Sequence, residues 1–318
     1  AIRPKHNKNF YLWRSTAAAV IFIVAIFSAY YYRTNRIKIA QEHIAENIKP
    51  GGNRATLTLA NGTIIVLDSA NNGKLAEQNG IIITKTTDGQ LIYTLSNEQD
   101  AEPKFNTIST PKGGQYQIHL PDGSKVWLNA ESSLKYPTFF TGKERVVTLT
   151  GEAYFEVSKA AKHSKMPFVV FAEDQTVTVL GTHFNINAYR NEYVSKTTLL
   201  EGSVQVSCLW KDYGKTVVLR PGEQSNVDRR GLSVETVDAE DAIAWKNGVF
   251  LFKDADINTV MKSIARWYNV EVRYEGLMPN RQFSGEIHRN LNLKQVLEIL
   301  SFYKVHFRTE GNTITVTP

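Results

Sequence analysis

From Ala55 to about Val237, apolar and polar residues alternate in short runs, among them TLTLANGTIIVL, YQIHLPDGSKVWLN and ERVVTLTGEAYFEV, with almost no helical period. Alternation turns one face of a strand inward and the other outward, so this pattern predicts an all-β region over residues 55–240. The pairs Asn61-Gly62, Asp88-Gly89 and Asp122-Gly123 lie between such runs. They are the residue pairs that tight hairpin turns favour. Residues 59–68 (LANGTIIVLD) recur as residues 120–129 (LPDGSKVWLN), each followed by a polar segment and another strand pair. Repetition of this kind predicts either a sandwich or a short β-solenoid, and the pattern alone leaves both open.

Near residue 245 the period changes. Phe250, Leu251 and Phe252 read as a strand, and Ile257, Val260, Met261, Ile264 and Trp267 then recur at helical spacing. Residues 270–274 alternate again, 282–287 form a strand, and Val296, Leu297 and Leu300 mark one face of a second helix. Residues 305–307 and 313–316 close the segment as a pair of strands. The expectation is a separate small α+β domain over residues 245–318, built as β-α-β twice with one extra strand.

The other end of the chain carries a different signal. Residues 15–32 read STAAAVIFIVAIFSAYYY, free of charge and of proline. At 1.5 Å per residue such a helix spans about 27 Å, close to a hydrocarbon core of roughly 30 Å, with Tyr30, Tyr31 and Tyr32 where an interfacial aromatic belt would lie. A secretory signal peptide would end in a small-x-small site, and Phe27 and Tyr30 flank the only plausible cut. The expectation is a short cytoplasmic segment over residues 1–14, a transmembrane helix over 15–32 and a juxtamembrane stalk over 33–54 that ends in the flexible Pro50-Gly51-Gly52. Basic residues flank the helix almost equally, so orientation rests on the long downstream body, which places it outside the cytoplasm. The start at Ala1 suggests a processed or trimmed product.

Composition changes this picture little. The 318 residues are 42% hydrophobic and 21% charged, as in ordinary folded domains. Part of the net charge of +6 lies beside the apolar helix, where a membrane surface explains it, and no basic stripe suggests nucleic acid. Cys208 is the only cysteine, so no intramolecular disulfide can form. The seven histidines show no H-x-H or H-E-x-x-H spacing, and no phosphate loop or nucleophile elbow occurs, so neither metal nor cofactor is expected. Glu152 and Glu156 are the best carboxylate pair, but four residues along a strand separate them by about 13 Å, beyond the roughly 5 to 9.5 Å of glycosidase chemistry. They are expected on a solvated strand face. Trp127, Tyr136, Phe139 and Phe140 could form a sugar-stacking platform, though core packing accounts for such residues as well; a membrane-anchored carbohydrate-binding or adhesion module is the alternative function.

Four strings carry a resemblance: PKGGQYQIHLPDGSKVWLNAESSLKYP (111–137), GEAYFEV (151–157), VLGTHFNINAY (179–189) and TTLLEGSVQV (197–206). With them the chain resembles the FecR family of anti-sigma factors and sigma regulators in its Bacteroidetes form. Residues 245–318 resemble the family's C-terminal module, which is similar to the secretin and TonB short N-terminal domain. The resemblance implies a non-enzymatic inner-membrane signal transducer, its bulk periplasmic, that relays the state of a TonB-dependent outer-membrane receptor to an extracytoplasmic-function sigma factor. Fourteen residues before the helix are too few for a sigma-binding helical domain, so that activity is carried over to no residue here. If the strand Thr313, Ile314, Thr315, Val316 lies at a sheet edge, it is a candidate for strand addition by the receptor's signalling domain. The resemblance also implies a candidate self-cleavage bond between Gly181 and Thr182, by an N-to-O acyl shift within a strand that the glycine would kink.

Overall fold

The computed structural model describes residues 25–31, 48–78, 80–87, 90–95, 102–159, 166–209, 215–278 and 280–318. Of the expected spanning helix only residues 25–31 are described; they are helical and exposed, and the rest of it, like the Asp88-Gly89 turn, lies outside the described residues. Among the described residues no helix is long and apolar enough to cross a membrane.

The body is built around one twelve-residue strand, Arg145–Glu156, that belongs to two sheets. Its first half pairs antiparallel with Ser132–Pro137 and parallel with Phe168–Ala172. Its second half pairs antiparallel with Lys125–Leu128 and His183–Ala188. The changeover falls at Gly151, whose φ of 88° bends the strand where a side chain would be strained. Alternation then fills one core from both sheets: Ile108, Leu134 and Leu149 from one, Ile118, Val126 and Leu128 from the other. At its centre Phe155 stacks on Phe184 at 5.0 Å and meets Phe168 at 6.3 Å.

A solenoid would stack its coils in parallel. Among the described strands of the body only Gly52–Asn53 with Gly114–Gln115, and the start of the shared strand with Phe168–Ala172, pair that way. The body is thus one large, mostly antiparallel sheet system whose two halves share a strand. The internal repeat survives as turn geometry: Gly62 and Gly123 have φ of 85° and 83°, and each glycine's N–H donates to the carbonyl of Leu59 or Leu120. Asn61 Oδ1 and Asp122 Oδ1 each accept from the amide two residues on. A separate three-stranded sheet, Gly73–Gln78, Ile81–Lys85 and Leu91–Leu95, flanks this body.

The smaller C-terminal unit is α+β. Helix α1, Ile257–Tyr268, is capped by Asp256, which accepts from Thr259 N–H, and stops at Asn269 in the left-handed region. Helix α2, Leu293–Ser301, starts with a capping box between Asn292 and Gln295. Strand Val249–Ala255 pairs with Phe283–His288. The last strand, Thr313–Thr317, is central: it runs parallel to Glu271–Tyr274 and antiparallel to His306–Glu310. The expectation of a free edge at Thr313, Ile314, Thr315 and Val316 is thus overturned, because both sides of that strand are hydrogen-bonded and Ile314, Thr315 and Val316 are buried. Alternating Thr and Ile suits a central position as well as an edge. Charged strands flank it instead, Glu271 and Arg273 on one side and Arg308 and Glu310 on the other, as protected edges usually do.

Candidate functional site

Three parts of the chain meet at one seam: the body, the C-terminal unit and residues 48–53, which precede the body. Gly52 N–H donates to Gly113 O at 2.9 Å, and Gly52–Asn53 adds a short parallel strand beside Gly114 and Gln115. On the other side Leu293 N–H donates to Ile48 O, and Ile48 packs against the C-terminal core. Between them Gly51 passes so closely that a Cβ there would sit 2.7 Å from both Gly113 O and the Trp267 ring. Pro50-Gly51-Gly52, expected to be flexible punctuation, is instead held from both sides. The glycine is required by close approach rather than by a need to bend.

The centre of the seam is polar. Glu152, 8% exposed, accepts from Asn129 Nδ2 at 2.8 Å and from Asn185 Nδ2 at 3.1 Å. Each asparagine turns its other end to residues beyond the body: Arg289 donates to Asn129 Oδ1 at 3.0 Å, and Trp245 Nε1 donates to Asn185 Oδ1 at 3.2 Å. Arg289 also donates to Trp245 O and lies 3.7 Å from the Trp267 ring centroid. Arg266 stacks at 3.8 Å on the ring of Tyr189 and donates to Asn191 Oδ1 and to Glu192. One buried carboxylate thus reaches, through two amides, both Trp245, in the linker (residues 238–248) between the body and strand Val249–Ala255, and Arg289 of the C-terminal unit.

This corrects the reading of the acidic pair. Glu156 does remain partly exposed and lies 3.8 Å from Lys125, but Glu152 is not on a solvated face, because the C-terminal unit roofs that part of the sheet. Burial pushes the Glu152 carboxyl above the usual carboxylate range, against the two amides and the nearby Arg266 and Arg289, which pull it down. Burial likewise lowers Arg289 to about 10, and raises the Tyr189 hydroxyl. For an acid raised on folding, the penalty is absent below its unfolded value and grows as pH rises through the folded one. The stability of the wild type relative to Glu152→Gln is therefore expected to fall as pH rises from about 4.3 toward neutrality, as read from paired urea melts.

The other sequence candidates are scattered. Gly181 and Thr182 lie in the crossover between strands Gln175–Val179 and His183–Ala188, which belong to different sheets, and not inside a regular strand; the chain must leave one sheet there to enter the other. Thr182 is buried, its hydroxyl donates to Ser203 O at 3.2 Å and its carbonyl accepts from Val157 N–H. The aromatic platform does not form: Tyr136 is fully buried with its hydroxyl 2.5 Å from that of Tyr93, and Phe140 packs on Phe168. Trp127 is partly exposed, as are Phe139 and Phe140, and lies beside Tyr154 at 5.5 Å. Among the described residues no group of three His, Cys, Asp or Glu is placed to hold a metal ion. Sequence reasoning missed Asn129, Asn185, Arg266 and Arg289; the one available signal was Arg266, a cation set between Ile264 and Trp267 on the apolar stripe of α1.

Comparison with known proteins sets the seam in context. The model of the FecR protein family matches residues 106–205, and that of the FecR C-terminal domain matches residues 249–316. A 2.50 Å crystal structure from Parabacteroides distasonis, described as a putative anti-sigma factor, is 30% identical, superposes with a TM-score of 0.61, and is matched over 67% of this chain and 98% of its own. The chain belongs to the FecR family. A second crystal structure of the same description, at 1.65 Å, gives 30% identity and a TM-score of 0.60 over 66% and 97%. Among curated proteins, none matches. Membership places this FecR-family chain among anti-sigma factors, which regulate sigma factors and are not enzymes. The seam joins the two matched modules: Asn129, Glu152 and Asn185 lie in one, Arg266 and Arg289 in the other.

Proposed function

We propose that this chain is a single-pass anti-sigma factor of the inner membrane whose body and C-terminal unit lie in the periplasm. In this reading the C-terminal unit receives the signalling domain of a TonB-dependent outer-membrane receptor, and the seam passes the event to the membrane-proximal segment, and from there to an extracytoplasmic-function sigma factor on the cytoplasmic side. The observation that carries the reading is the hold on residues 48–53 by Gly113 of the body and by Trp267 and Leu293 of the C-terminal unit. A unit that grips the strand nearest the membrane can alter that strand when its own contacts change, which gives a partner-binding event a physical route toward the bilayer. The apolar run at residues 15–32 supports the anchor, and the long downstream body supports the orientation.

Alkaline phosphatase fused after Pro318 is expected to be active in cells, and the same fusion with a cytoplasmic reporter silent. An inactive phosphatase with an active cytoplasmic reporter would overturn the topology.

A further inference from the structure

Trp245 has a cavity on each side. One, about 470 Å³, is the seam cleft that Glu152 and Arg289 help to line. The other, about 410 Å³, lies where Lys85 and the nearby Gln90 approach Gly114–His119 and Lys125–Leu128; Asn53, Gln115 and Trp245 border it as well as the seam, and the space itself has no part in the relay. We propose that this second cavity is a binding site for a neutral sugar of about disaccharide size.

The lining carries the argument. Trp127 and Trp245 both line it, together with Asn53, Gln90, Gln115, Gln117 and Asp68. The side-chain amides of Asn53, Gln90 and Gln115 make no hydrogen bond among the described residues, Gln117 Nε2 lies 3.3 Å from His119 Nε2, and Asp68 forms no ion pair among the described residues. Three amides and a carboxylate thus line one cavity with donors and acceptors that a ligand can take in place of water.

Charge then narrows the class. Lys85 Nζ is spent on the carbonyls of Leu67 and Ala70, at 2.6 and 2.8 Å. Lys246 Nζ is drawn onto the rings of Trp127 and Tyr154, at 4.8 and 5.0 Å. With both cations engaged and a carboxylate open at the wall, an anion finds no partner and meets repulsion from Asp68. Amides and one carboxylate together offer donors and acceptors in the mixture that vicinal hydroxyls need, and indole faces suit the C–H face of a pyranose. Trp245 also donates to Asn185 on the seam, so a sugar resting against its ring would touch the residue that links linker and body.

The test titrates the full chain in detergent micelles with maltose, lactose, xylobiose and diacetylchitobiose, followed by tryptophan fluorescence and by calorimetry. At least one sugar is expected to bind saturably with Kd of about 1 mM or tighter, and Gln115→Leu and Asp68→Asn each to weaken it at least about tenfold without shifting the melting temperature. Failure of every sugar to saturate by about 10 mM would overturn the site, as would saturable binding whose affinity both variants leave unchanged. Neither result bears on the topology or on the hold over residues 48–53, which are tested separately.

Discussion

Arg289→Ala is expected to loosen the C-terminal unit from the body and to destabilise the seam by about 3 to 5 kcal/mol, the range found when one partner of a buried charged network is removed. Arg289 is 3% exposed and donates to two acceptors, Trp245 O and Asn129 Oδ1, while its guanidinium covers the Trp267 ring. Alanine would leave the Trp245 carbonyl without that donor, and would leave Asn129 Oδ1 with the Ala130 N–H alone and no tie to the C-terminal unit. The Glu152 carboxylate would also lose one of the two nearby cations that offset its burial. Arg289→Lys separates charge from geometry: it restores a cation but neither the planar stack nor the forked donors, so an intermediate loss is expected. Urea melts of the full chain followed by tryptophan fluorescence, with limited proteolysis around residues 238–249, read both effects. A midpoint within error of the wild type for Arg289→Ala would mean that the network contributes no cohesion.

Gly51→Leu is expected to break the hold on the strand Gly52–Asn53. Its backbone does not lie in the left-handed region, so the effect is purely steric: a Cβ would sit 2.7 Å from a backbone oxygen of Gly113 and from the indole of Trp267, and neither is the free end of a flexible side chain. Overpacking of this kind costs about 1 to 3 kcal/mol, and more where the backbone must shift. Amide exchange at Gly52, whose N–H is held by Gly113 O, is the local readout; the variant is expected to exchange at least about tenfold faster while amides of the strand Arg145–Glu156 stay protected. Equal protection of Gly52 in both proteins would show that the strand is held elsewhere. If the relay operates through this hold, the same variant also shifts sigma-dependent transcription in cells.

How far the sequence reached depended on the range of the interaction involved. The repeat of Leu59–Asp68 in Leu120–Asn129 predicted matching turns, and both form, because Asn61-Gly62 and Asp122-Gly123 set that geometry within four residues. Both C-terminal helices were legible for the same reason: their caps, Asp256 and Asn292, and their apolar stripes are local. The place of Thr313–Thr317 was not, since alternating Thr and Ile is compatible with an edge or a centre, and only the pairing with Glu271–Tyr274, some forty residues away, decides between them. Similarly Tyr136 and Trp127 read alike as aromatics in strands, yet one is sealed beneath Tyr93 and the other is partly exposed.

By itself, then, the sequence determined a mainly β chain with a small α+β end, the strand and helix periods, the tight turns and, through long ordered motifs, the FecR family. Tertiary structure alone decided the arrangement of the sheets around one shared strand, the central position of Thr313–Thr317, and the seam. The seam escaped because its members, Gly51, Asn129, Glu152, Asn185, Arg266 and Arg289, lie far apart along the chain and each has an ordinary local setting. Burial of a carboxylate and the close passage of a glycine are properties of what packs over them. No periodicity along a single strand records that.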